Sequence, residues 1–236
     1  MATRSKSGEH VTYSWDNRNR LVRIEFRTAI GTAVVKQVDL IHDAQDRLIQ
    51  VITDSDGSTG SAPITNQKFA YDGQEIYLEF NAANQLAHRY LHGPDVDQVL
   101  LDENYLVSLA DRNRWLLSDQ VNSVRTIVNN AGNVMERRKY GAFGQVIEKT
   151  TTQAVDEIFG YTGRPFLDSL QLQYSRARFY DPQLGRFVST DPTGFEGGDF
   201  NLYRYVANSP LTHTDPSGEE ARNPHPPGQN RVWLNR

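Results

Sequence analysis

The chain has 236 residues, enough for one or two domains with a sizeable core. Its formal net charge of -4 gives no basic face for nucleic acid, and the absence of cysteine excludes disulfides, thiolate metal sites and a cysteine nucleophile. The content of 11 Tyr, 10 Phe and 3 Trp argues against general disorder, and no run approaches the roughly 20 apolar residues that span a bilayer. The opening MATRSKSGEH carries no apolar run behind its charges, so no signal peptide is expected and the compartment stays unknown.

In chain order, the first elements are repeated hairpins. YSWDNRNRLVRIEF (13–26) is an alternating run, a polar turn beginning at Asp16, and a second alternating run. LIHDAQDRLIQVI repeats it from Asp43, YLEFNAANQLAHRY from Asn81, TIVNNAGNV from Asn129, and KYGAFGQVIEK with Gly141 at the turn. The starters are irregularly spaced, so the loops between units differ in length. In RLVRIEF, Leu21, Arg23 and Glu25 fall on one face and Val22, Ile24 and Phe26 on the other, the period of a strand. Residues 53–66, TDSDGSTGSAPITN, read as an exposed loop. A single hairpin is marginal in water, so the units must stack to bury a common face. The expected class is all-β: stacked hairpins forming a curved sheet strip.

Further along, LQYSRARFY as one strand places Leu172, Tyr174, Arg176, Arg178 and Tyr180 on one face. If that face is buried, its guanidiniums require partners, with Asp181, Asp191, Asp199 and Asp215 as candidates. A direct Arg186–Asp191 pairing needs a bulge or turn between them. Asp191-Pro192-Thr193-Gly194 and Asp215-Pro216-Ser217-Gly218 both fit a type I turn, with Asp first, Pro second and Gly fourth. They also supply two carboxylates that folding could bring together as an acid–base pair; the sequence gives no distance between them. Gly197-Gly198 reads as a turn into a strand through Leu202, Arg204 and Val206 rather than a phosphate cradle. His88 and His92 sit at a strand end, where their spacing makes no helical metal pair, and no nucleophile elbow surrounds SPLTHTD. The Pro-rich ending offers Trp233 as a docking anchor.

From about residue 111 to 218, the segments WLLSDQVNSVRTIVNNAGNV, YGAFGQV, FGYTGR, YSRARFYDPQLGRFVSTDPTGFEGGDFNLYRYVANSP and DPSG resemble the Rhs/YD-repeat family, in particular its Rhs repeat-associated core domain. The earlier hairpins look like degenerate YD repeats. The resemblance implies a β-strip that, in long members, spirals into a shell around a toxic cargo, with the associated core plugging its end. It also implies an aspartyl autoprotease in which Asp191 and Asp215 are catalytic and cleavage follows Gly218. Two departures bear on this. Glu219 stands where self-cutting members usually carry Leu, and Gln120 and Asn122 replace the usual His and Gly of a DHLGS-like segment. The tail 219–236 is too short for a folded toxin.

The expected organisation is therefore degenerate YD-repeat hairpins over 1–110, the associated core over 111–218, and a variable tail over 219–236. The leading functional expectation is a structural module that caps or plugs such a shell, related to polymorphic toxin systems and lacking a toxin domain. The competing one is an autopeptidase cutting after the second Asp-Pro-x-Gly. Arg176, Arg178, Asp181, Arg186 and Arg204 are expected to form a structural network. No metal or cofactor is expected, and the expected partners are other YD-repeat chains or an upstream repeat region.

Overall fold

The computed structural model describes residues 2–6, 9–57, 60–153, 155–197 and 199–222. Trp233, Gly198 and the tail beyond 222 lie outside the described residues. Thirteen strands, from β1 (Ala2–Lys6) to β13 (Val146–Thr151), pair antiparallel in strict chain order. The described residues contain no α-helix, only short 3-10 turns.

The turns explain the repeats. Asp16 Oδ1 accepts from the Arg18 and Arg20 amides at 2.9 and 3.0 Å, while the Asp16 amide donates to the Arg20 carbonyl at 3.0 Å. Asp43, Asn81, Asp119 and Asn129 do the same to the amides two and four residues on. The fourth position is left-handed in every case: φ is 60° at Asn19, 65° at Asp46, 60° at Asn84, 63° at Asn122 and 78° at Gly132. Asn, Asp and Gly are the residues that tolerate this region, which is why they recur there.

Most strands that follow a turn carry an extra residue near their start. In β3 (Leu21–Arg27), Trp15 pairs with Leu21 and Ser14 with Arg23, skipping Val22. In β5 (Leu48–Asp54), Ile49 is skipped in the same way, and in β11 (Val124–Asn129) Arg125 is. Each is a β-bulge, which bends the strand and raises its twist. It also corrects the simple alternation of RLVRIEF: Leu21 is buried with Ile24, although it has the parity of exposed Arg23.

A second, four-stranded sheet follows: β14 (Phe166–Leu167), β15 (Leu172–Ser175), β16 (Arg178–Asp181) and β17 (Arg186–Phe187). LQYSRARFY is thus a hairpin and not one strand. Ser175 pairs with Arg178, and Arg176 occupies the turn at φ 51°. The expected strand through Leu202–Val206 is also replaced. Arg204 makes one isolated bridge to Arg186, and Val206–Asn208 close a 3-10 turn. Asp199 holds Arg204 through two 2.6 Å hydrogen bonds, which pulls the segment back on itself.

The small sheet folds over one face of the large one. Phe159, Leu172, Tyr174 and Phe179 pack against Ile24, Leu48, Val51 and Tyr90 in a shared core. The Leu48 amide donates to the Tyr174 hydroxyl at 3.0 Å, and the Leu48 carbonyl accepts from Tyr71 at 2.7 Å. Full burial of such a side chain contributes about 1.5–3 kcal/mol. A second aromatic cluster of Tyr161, Tyr180, Phe187 and Tyr205 joins the small sheet to the β12–β13 hairpin, β12 being Val134–Tyr140. There Tyr180 donates to the Phe143 carbonyl at 2.8 Å and Tyr161 to the Ala142 carbonyl at 3.0 Å.

Candidate functional site

The two Asp-Pro turns converge on Arg178. Each aspartate divides its oxygens. Asp191 Oδ1 accepts from the Thr193 amide at 2.9 Å, and Asp215 Oδ1 from the Gly218 and Glu219 amides at 2.9 and 3.1 Å, so each serves its own turn. The other oxygen of each points to the same nitrogen. Arg178 Nη2 lies 2.8 Å from Asp191 Oδ2 and 3.4 Å from Asp215 Oδ2. The remaining donors of the guanidinium are also used: Nη1 donates to the Leu202 carbonyl at 3.2 Å, and Nε to the Gly218 carbonyl. Its plane lies 3.7 Å from the centre of the Phe187 ring, a stacked cation–π contact. Burial pulls Arg178 below its ordinary range, while Asp191, Asp215 and Glu219 pull it back up.

Gly218 is fixed by sterics as well. Its φ is 74°, and a Cβ there would sit 2.0 Å from the Ser175 carbonyl oxygen. Beside this assembly lies a cavity of about 570 Å³, lined among others by Arg20, His42, Arg176, Ser217 and Glu219, which gives solvent a route to Arg178.

The other arginines and Asp181 disperse. Arg176 reaches back to the large sheet, at 2.8 Å from Glu75 and 2.9 Å from Asp97, and also donates to the Pro216 carbonyl. Arg164, with no counterpart in the sequence reading, joins it at Asp97 (2.8 Å). Asp181 Oδ1 accepts from the Gln183 and Leu184 amides in its own turn. Arg186 lies over the Tyr203 ring and is not joined to Asp191. Arg204 pairs with Asp199.

The covered sheet face holds a polar stripe that sequence reasoning missed. His88 of β8 (Leu86–His92) meets Asp102 of β9 (Val99–Asn104) at 2.7 Å and Asp156 at 3.4 Å. Arg114 reaches the same two carboxylates, and Tyr90 donates to Glu79 at 2.9 Å. Burial alone would pull His88 down, but the hydrogen bonds to Asp102 and Asp156 outweigh it and push it up to about 10. His92 instead contacts the Ile76 carbonyl at 2.9 Å. Among the described residues no His, Asp and Glu side chains gather as a metal site. Glu136 and Arg138 are likewise buried on β12, a strand whose four consecutive charged residues give no apolar pattern to mark them.

An open antiparallel strip of bulged hairpins, covered on one face by a second small sheet, is the architecture of a YD-repeat segment. The model of the Teneurin YD-shell family matches residues 74–211, and the chain belongs to this Rhs/YD-repeat family. The chain is 37% identical over 237 residues to the double-stranded DNA deaminase toxin A of Burkholderia cenocepacia, covering 92% of this chain and 16% of that protein. It is 26% identical over 222 residues to the tRNA3(Ser)-specific nuclease WapA of Bacillus spizizenii, covering 88% of this chain and 8% of that protein. Among solved structures, TcdB2-TccC3 superposes with a TM-score of 0.70 at 20% identity, over 90% of this chain and 10% of that one. The chain therefore corresponds to a small part of these relatives, of which the first is named as a toxin and the second as a nuclease. No helix among the described residues is long and apolar enough to cross a membrane.

Proposed function

We propose that this chain is the terminal cap of a YD-repeat shell, with residues 1–110 supplying repeat hairpins and 111–218 the associated core. The observation that carries this is the direction of the second sheet. It does not extend the strip but turns back across it, tied by Arg164 and Arg176 to Asp97 and by Tyr174 to Leu48. A fold-back of this kind closes one end of a spiral while leaving the outer edge of β1 able to accept an upstream repeat. Hydrogen exchange tests it. Arg176→Ala should raise exchange together in 155–222 and in the 72–75 and 93–98 turns, because one latch holds both. Unchanged exchange in those turns would remove the cap reading.

A second reading is favoured by the contact between Arg178 Nε and the Gly218 carbonyl. This is the carbonyl an autopeptidase would attack, and it is held by the guanidinium that Asp191 and Asp215 also approach. Donors fixed on a carbonyl oxygen stabilise the charge that develops there. In such a reaction one aspartate takes a proton from water as the water oxygen bonds to the Gly218 carbon. That proton is then delivered to the Glu219 nitrogen as the C–N bond breaks, releasing the segment from Glu219 onward. Intact mass decides this. Loss of residues 219–236 in the wild type, abolished in Asp191→Asn and Asp215→Asn, establishes cleavage; a full-length mass throughout leaves only the structural role.

A further inference from the structure

A separate cavity of about 250 Å³ lies between the β12–β13 hairpin and the cap, away from Arg178. Its walls include the rings of Tyr140, Tyr161 and Phe166, and its mouth carries the exposed Gln171 and Gln183. Two lining residues each carry a buried polar atom with no hydrogen-bond partner among the described residues: Glu157 Oε2 and Gln173 Nε2. Gln173 is 1% exposed and Glu157 8%. Both are positioned by their other contacts. Glu157 Oε1 accepts from the Phe159 amide at 2.7 Å, and Gln173 pairs with Phe166 across the β14–β15 ladder. A buried unpaired polar group costs about 1–3 kcal/mol, so two beside one cavity are a substantial liability unless something meets them.

The geometry points to a binding site for a carboxamide, either a free small amide or the side chain of Gln or Asn in a peptide. Gln173 Nε2 can only donate, so the ligand must present an acceptor. The Glu157 carboxyl accepts a donor, and a primary amide offers C=O and N–H₂ side by side. The aromatic walls suit its flat faces. A carboxylate supplies no donor to Glu157, and an ammonium supplies no acceptor to Gln173. Burial and the nearby Asp102 push Glu157 up to about 8, so it acts as the acceptor of this site once ionised, above that value.

Three isosteres test this on the intact chain by saturation-transfer NMR: propionamide, propionate and propylammonium. At pH 9, where Glu157 is ionised, propionamide should give transfer at least about fivefold above the other two, and Gln173→Leu should abolish it. Because Gln173→Leu alters a buried position, Val146→Trp provides a second test. Val146 lines the cavity from an exposed strand, and the larger ring fills the mouth without entering the core. It too should remove the signal. Gly-Gln-Gly binding more tightly than propionamide identifies a peptide side chain as the source, and equal binding identifies a free amide; either supports the site. Equal signals from all three isosteres, no signal from any, or a wild-type signal surviving in both variants would overturn it.

Discussion

Asp191 and Asp215 meet at a single nitrogen, Arg178 Nη2, while each keeps its other oxygen for the turn it begins. Each aspartate thus starts its own turn and also approaches the same guanidinium. The pair faces a guanidinium, so the positive charge offsets the repulsion that two carboxylates alone would suffer.

Arg178→Met should accordingly cost about 3–5 kcal/mol, the usual penalty for stranding buried charges. Asp191→Asn and Asp215→Asn should each be milder, because the remaining carboxylate still neutralises Arg178. Together they leave that cation unpaired, so the double variant should lose more than the sum of the singles, by roughly 1–2 kcal/mol. Urea melts of the four-member cycle measure this, and additive losses would show that the carboxylates act independently.

Stability should fall as pH rises through the alkaline range. The folded-state value of His88 is raised from 6.5 to about 10, so its contribution is full below 6.5 and is lost as pH climbs through 10. Glu157 acts in the same direction: raised from 4.5 to about 8, it penalises the folded state progressively across that interval. On the acid side His42, lowered by burial to about 4, costs stability as pH drops from 6.5. Between 4.5 and 6.5 the Glu157 and His42 effects oppose each other, so thermal melts should be level there and decline above pH 6.5, and His88→Gln should flatten that alkaline limb. An unchanged limb in that variant would contradict the assignment.

The turn carboxylates should matter more for geometry than for charge. Asp119→Asn keeps an oxygen for the Val121 and Ser123 amides and should be nearly silent, whereas Asp119→Ala should cost about 1–2 kcal/mol. Asn84→Gly should be neutral, since φ is already 60° there. Denaturant midpoints compare these directly.

Gly218→Ala should be far worse than an ordinary glycine replacement, because the methyl group would enter the space of the Ser175 carbonyl. A loss of about 1–3 kcal/mol is expected from backbone strain alone. Resonances of Arg178 and Phe187 should move with it, since the Gly218 carbonyl holds the guanidinium in place.

The outer edge of β13 has no strand beside it among the described residues, and Ile147 is 63% exposed. An open edge of this kind templates pairing. Sedimentation should show concentration-dependent association that Ile147→Lys suppresses.

What could be read in the sequence follows the range of the forces. The starters Asp16, Asp43, Asn81 and Asn129 were legible because their hydrogen bonds close within five residues and require specific side chains. Leu21 was misplaced because a bulge breaks the period without leaving a Gly or Pro marker. The need of Arg178 for acidic partners could be inferred from its expected burial. That two distant turns supply them, with Gly218 on the third side, depends on a hairpin at Arg176 that the alternation of LQYSRARFY hides. His88, Asp102 and Arg114 lie on three strands, and no local pattern links them.

The extra residues near the starts of β3, β5 and β11 recur in β4 (Val34–His42), where Val35 is skipped, and in β9, where Leu100 is. In these five strands they follow connections of five or six residues, whereas β6 (Thr65–Asp72) and β10 (Asn113–Ser118), entered from the longer stretches 55–64 and 105–112, keep an unbroken register with the preceding strand. The bend thus travels with the short connections, and a strand entered from a longer loop starts without one. A ribbon built this way bends where hairpins follow one another closely and relaxes at each long loop, so the loop lengths set its local curvature.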